Sequence, residues 1–170
     1  MVRAGVLPVP EELKEKKGAT KKMDAMVVSG AIACLSLSAV GSALGTGFAA
    51  SAAVGAWKKC YAAGKPAPFT LLTFVGFPLS QTLYGMILMF IMLGKTALAG
   101  TGVPLLVLGI FAGLGIGMSA LFQGRAAAAA CDAQAETGQG LANYVIALGI
   151  VETVAIFVMV FTLIALGKVA

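Results

Sequence analysis

Residues 141–167 read LANYVIALGIVETVAIFVMVFTLIALG. As a helix this run is about 40 Å long at 1.5 Å per residue, more than the roughly 30 Å hydrocarbon core of a bilayer. One charge interrupts it, Glu152, and no other charged residue stands between Glu136 and Lys168. A carboxylate at that depth costs about 2.5 kcal/mol or more on insertion scales, so it needs a partner or a proton. The stretch therefore predicts a membrane-spanning helix that handles an ion. The plainer alternative for Glu152 is a structural hydrogen bond between helices.

The composition agrees with that reading. Of 170 residues, 59% are hydrophobic and 11% charged, and mean hydropathy is +0.97, far more apolar than a soluble domain of this size requires. Four windows are longer than the roughly 20 apolar residues that span a bilayer: Ala25–Trp57, Phe69–Gly94, Thr96–Gly124 and Leu141–Gly167. The expected fold class is all-α: an integral, multi-pass membrane protein of four transmembrane helices, with no room for a soluble catalytic domain. Histidine is absent and Cys34, Cys60 and Cys131 lack zinc-ligand spacing, so free thiols are expected and a zinc site is not. Residues 1–24 hold six of the twelve basic and four of the seven acidic side chains, so the net charge of +5 mostly reflects segments outside the membrane. No basic face is combined with aromatic platforms, and nucleic acid is not an expected partner.

The chain reads as two copies of one helical hairpin. Gly41–Val54 aligns with Ala120–Ala130, placing Leu44-Gly45 on Gln123-Gly124, and Ser80-Gln81-Thr82 aligns with Val151-Glu152-Thr153. Gln81 and Glu152 are then equivalent positions, of which only the second is a carboxylate. The division expected is a polar tail over residues 1–23, a first repeat over 24–95 and a second, carrying the glutamate, over 96–170. Gly64–Pro68 and Thr137–Gly140 break the hairpins, and Gly100–Pro104 joins them. Small residues recur every fourth position in the third helix (Gly109, Gly113, Gly117) and the first (Gly41, Gly45, Ala49), a pattern that lets backbones approach closely. The second and fourth helices carry bulkier residues, among them Phe74, Phe77, Phe90, Phe157 and Phe161. A tight inner layer with a larger-sided outer layer suits a curved wall of hairpins.

Depth arithmetic gathers a site. Gln123 and Glu152 are equidistant from the Thr137–Gly138 turn, roughly 20 Å along each helix. Gln81 lies a similar distance before the end of its own helix as Glu152 does, so three polar side chains from three helices share one level. Ser80 and Tyr84 flank Gln81, one turn apart. Oxygen ligands suit a small hard cation: Glu152 offers charge, Gln81 and Gln123 amide carbonyls, Ser80 a hydroxyl. Pro78 has no N–H for the carbonyl of Phe74, so it loosens the helix and leaves an under-bonded carbonyl nearby, Phe77 being the candidate. This is more oxygen than a proton requires and leans towards sodium.

The pieces Phe77-Pro-Leu-Ser-Gln-Thr-Leu-Tyr-Gly85, Phe122-Gln-Gly-Arg-Ala-Ala-Ala128 and Val151-Glu-Thr-Val-Ala-Ile156 resemble the proteolipid (K or c) subunit of V-type and archaeal-type rotary ATPases and ATP synthases, over roughly residues 24–168. The resemblance implies that sodium, or in related rotors a proton, is held at Glu152, Gln123, Gln81, Ser80 and the backbone carbonyl of Phe77, with Tyr84 bonding the carboxylate. Phe77 stands where leucine is usual and Ser80 where threonine is usual, and both keep the ligand atom. It further implies a ring of identical subunits in membrane lipid, turning against a stator subunit that carries an arginine, with central-stalk or collar subunits docked on cytoplasmic hairpin turns. Catalysis would lie elsewhere in the complex, no organic cofactor is implied, and a prokaryotic chain would sit in the plasma membrane.

Two expectations remain. Counting positive charge, the termini side holds eight basic residues (six in the tail, Lys95 and Lys168) and the turn side four (Lys58, Lys59, Lys65 and Arg125), against that topology. A start at Met23 restores the rule, so residues 1–22 read as a misassigned start or a family-atypical extension. The rival in another class is a four-helix proton-coupled antiporter, which would surround its glutamate with aromatic residues rather than glutamines.

Overall fold

The computed structural model describes residues 11–95 and 102–168, apart from the side chains of Thr20, Lys22, Met23 and Asp24. The first ten residues of the tail and residues 96–101 lie outside the described residues, and Gly102–Pro104, expected to belong to the connection, already form the start of a helix. Everything regular among the described residues is helical: α1 (Glu11–Ala62), α2 (Leu71–Gly76), a 3-10 turn (Phe77–Leu79), α3 (Ser80–Leu93), α4 (Gly102–Thr137) and α5 (Leu141–Leu166). Four stretches are long and apolar enough to cross a membrane: Ala25–Ala62, Leu71–Leu93, Gly102–Thr137 and Leu141–Leu166.

The sequence dictates where each stops. Gly64 at φ 67° turns the first hairpin, a left-handed conformation that favours glycine, and Trp57 Nε1 donates to the Pro68 carbonyl at 2.8 Å across it. Gly138 and Gly140, at φ 68° and 88°, turn the second. Pro104 falls in the first turn of α4, where a missing N–H costs no intrahelical bond. The second span is not one continuous helix. Pro78 tightens Phe77–Leu79 into a 3-10 turn, and the Ser80 N–H bonds back to the Phe77 carbonyl.

Two helices overrun the bilayer, as their lengths suggested. The 52 residues of α1 extend about 78 Å at 1.5 Å per residue. Its overrun at the Trp57 end was expected. Its start at Glu11 was not, because the tail shows charged residues and no apolar period. α4 continues through Arg125 to Thr137. At the turn end Lys59 on α1 pairs with Asp132 on α4 at 2.8 Å, tying the two hairpins together in the open.

The closest packing is between α1 and α4, along the glycine stripes. A methyl built on Gly41 would come within 2.0 Å of the Gly117 carbonyl oxygen, one on Gly109 within 2.0 Å of the Gly30 oxygen, and one on Gly124 within 2.1 Å of the Gly45 oxygen. These are backbone-on-backbone contacts that no larger residue allows. Gly30 extends the stripe beyond the positions read from the sequence. Beside this seam, Gly85 of α3 sits against Ser38, whose hydroxyl bonds back to the Cys34 carbonyl at 2.8 Å. Of the bulky residues on the second and fourth spans, Phe90, Phe157 and Phe161 are exposed on the isolated chain, whereas Phe74, Leu88, Met92 and Leu148 are buried, so these helices also supply the core. All three cysteines are buried free thiols.

Overpacking a dense core costs about 1–3 kcal/mol, and more where backbone is the neighbour. Gly41→Ala should therefore lower the thermal midpoint of the detergent-solubilised protein by several degrees, whereas Gly47→Ala, with open space around it, should leave the midpoint unchanged or raised. Equal midpoints for the two variants would contradict the packing described.

Candidate functional site

The site forms where the Pro78 turn, the glycine-packed α4 and the glutamate of α5 meet. The helix restarts at Ser80, and the next residue, Gln81, turns fully into the interior between α1 and α4. Gln123 enters from α4 and is also fully buried. Their amides bond directly, Gln81 Nε2 donating to Gln123 Oε1 at 2.7 Å. Gln123 Nε2 then donates twice, to the Leu148 carbonyl of α5 at 3.0 Å and to Glu152 Oε2 at 3.4 Å. The other carboxylate oxygen, Oε1, accepts from the Tyr84 hydroxyl at 2.6 Å. Glu152 thus holds one donor on each oxygen, from two different helices.

The remaining oxygens line up behind Gln81. Ser80 Oγ lies 3.0 Å from the Phe77 carbonyl and 3.2 Å from Gln81 Oε1. The Phe77 carbonyl is not left bare, contrary to the expectation from sequence. The shorter 3-10 period lets it accept from both the backbone N–H and the hydroxyl of Ser80. The loosening at Pro78 is real, but the local turn re-satisfies the freed group.

The structure brings together Phe77, Ser80, Gln81, Tyr84, Gln123 and Glu152, the six residues named from sequence. It adds a bond that the sequence pattern did not reveal. Ser119 of α4, one turn before Gln123, donates its hydroxyl across to the Val151 carbonyl of α5 at 2.9 Å. Its only sequence signal is a hydroxyl at i−4 from a buried glutamine, which small-residue patterns easily mask.

Chemically, these are oxygen and amide groups gathered around one carboxylate, set inside an apolar span. Among the described residues the site contains no nucleophile–base pair and no cluster of acids, and its donors satisfy a negative charge in place of water.

Comparison with known proteins bears on the second hairpin. Residues 106–165 match the family described as the C subunit of ATP synthase. The matched residues lie within the second hairpin. The matched span includes Ser119, Gln123 and Glu152, while Ser80, Gln81 and Tyr84 lie before it. No curated protein matches the chain. Members of the family are non-catalytic, ion-translocating rotor subunits, and their helical, membrane-embedded architecture agrees with the four spans found here. The chain is an integral, multi-pass membrane protein.

The amide pair gives a direct test. Gln123→Leu removes the acceptor of the buried Gln81 N–H and should destabilise the solubilised protein by about 1–3 kcal/mol, because one partner is left unsatisfied. Adding Gln81→Leu should recover part of that loss, since replacing both partners with apolar groups is far less costly. A double variant as unstable as the sum of the singles would show that the two amides do not bond.

Proposed function

We propose that this chain is the rotor-ring subunit of a V-type or archaeal-type rotary ATPase or ATP synthase, and that Glu152 carries sodium across the membrane. Copies of the chain form the ring, α1 and α4 towards its axis and the bulkier α3 and α5 towards lipid. The observation that carries this reading is the single carboxylate of α5 held level with two buried glutamines and the Ser80–Phe77 oxygens. The family match of the second hairpin supports the rotor role. The pieces Pro78-Leu-Ser-Gln-Thr-Leu-Tyr-Gly85 and Val151-Glu-Thr153, which resemble the V-type and archaeal-type proteolipid, support that choice of type.

The mechanism follows from the energetics of charge. A bare carboxylate facing lipid is prohibitively costly, so Glu152 travels neutralised. Sodium would sit among the carboxylate, the Gln81 and Gln123 amides, the Ser80 hydroxyl and the Phe77 carbonyl. Gln123 presents an N–H to Glu152 when the site is arranged as here, and turning its oxygen to a cation would require the Gln81 amide, which donates to that oxygen, to turn with it. Tyr84 donates to the other carboxylate oxygen. At the stator an arginine exchanges for the cation, which leaves by a half-channel. Each ion crossing 100 mV carries about 2.3 kcal/mol, so several are pooled per nucleotide. The turn ends around Lys59, Asp132, Lys65 and Glu136 form a charged cleft of about 200 Å³ on the side where stalk subunits would dock.

Proton coupling is the second reading, favoured by the fact that Glu152 and Tyr84 alone suffice for a protonated carboxyl. The antiporter reading is disfavoured, because the hydrogen-bond partners of Glu152 are one amide and one phenol, with a second buried amide behind them.

A hydrophobic carbodiimide attacks only a protonated carboxyl. At mildly acidic pH, labelling of Glu152 should be suppressed by millimolar sodium and abolished in Glu152→Gln. Labelling that follows pH and ignores sodium would replace sodium by the proton.

A further inference from the structure

Ser119 makes a choice that the serines of α1 at positions 29 and 38 do not. Ser29 and Ser38 donate back to the carbonyl four residues earlier, Ala25 and Cys34, both at 2.8 Å. That bond is open to any helical serine and has no consequence beyond its own helix. Ser119 has one hydroxyl proton and gives it to the Val151 carbonyl of the neighbouring helix. One turn along, Gln123 Nε2 bonds the Leu148 carbonyl of the same helix. Two side chains of α4 thus grip the backbone of α5 at positions 148 and 151, directly before Glu152. The two helices stay close beyond the grip, where a methyl built on Gly115 of α4 would lie 3.3 Å from the Val158 side chain of α5.

α5 needs such a grip. It is the least buried of the four spans, with about 17% of its apolar window covered within the chain. The other bonds that hold Glu152 in place, from Tyr84 and from Gln123, end on the carboxylate itself. An ion that binds and leaves competes for those oxygens on every cycle. Gln123 is in the same position, because its amide is part of the ligand set. The Ser119 bond ends on a backbone carbonyl and involves no ion-binding atom.

We infer that Ser119 is a positioning residue for Glu152: it fixes the α5 backbone against α4 so that the carboxylate stays aligned with Gln81 and Gln123 while its own hydrogen bonds are exchanged for the ion. The inference rests on Glu152 being the carrier, as proposed above, and holds for sodium or a proton alike.

The test uses the full chain, purified as its native assembly. Removing one interhelical hydrogen bond in a membrane protein changes an equilibrium by about three- to tenfold. In Ser119→Ala, the sodium concentration giving half-protection of Glu152 from carbodiimide should rise by about that factor. Ser119→Thr retains the hydroxyl and should stay within about twofold of the unmodified chain. Ser29→Ala, which removes a bond internal to α1, should change nothing. The rate of carbodiimide labelling at fixed pH without sodium is the second readout, and it should rise in Ser119→Ala and be restored in Ser119→Thr. If sodium fails to protect the unmodified chain, the sodium reading fails, and Ser119 is judged on the labelling rate alone. If both readouts in Ser119→Ala match the unmodified chain, or if Ser119→Thr does not rescue, the positioning role is overturned.

Discussion

A single carboxylate inside a hydrocarbon span constrains everything around it. Water cannot reach it cheaply, so its charge must be met by protein donors, a cation or a proton. The surroundings of Glu152 answer that requirement in layers. Tyr84 and Gln123 place one donor on each carboxylate oxygen. Gln81 holds Gln123, and the Ser80 hydroxyl stands within reach of both the Phe77 carbonyl and Gln81 Oε1. Each member is satisfied by the next, so the network tolerates burial that would be costly for any of its groups alone.

Such a network is only as well placed as the helices that carry it. Lipid supplies no hydrophobic force to press helices together, so position comes from close packing and interhelical bonds. The glycine seam between α1 and α4 provides the first. Contacts such as Gly41 on Gly117 and Gly124 on Gly45 set the helix separation to within a methyl group. Gln123 stands beside Gly124, so the seam fixes its depth. The Pro78 turn does the same for Gln81 by restarting α3 at Ser80. The outer helices are freer, and α5 is tied in by the bonds of Ser119 and Gln123.

Much of this is legible in the chain's residues alone. Long apolar runs identify spans because backbone in lipid must be helical, and the run at 141–167 marks α5 to within a residue. Antiparallel hairpins convert residue spacing into depth, which is why Gln81, Gln123 and Glu152 fall together without knowledge of their contacts. The helix from Glu11 to Lys22 is hidden, because its alternating charges carry no apolar period. The role of Ser119 is hidden for another reason: whether a serine bonds its own helix or the next depends on the separation between helices, which no single helix encodes. The Phe77 carbonyl is misjudged from sequence because Pro78 shortens the local helical period rather than opening it.

Equilibrium binding of radioactive sodium to the purified assembly tests the central claim most directly. If Glu152 is the carrier, sodium binds saturably at about one ion per chain, acid displaces it, and Glu152→Gln abolishes it. Absence of saturable binding, or binding that survives Glu152→Gln, would contradict the assignment of this network as a sodium site.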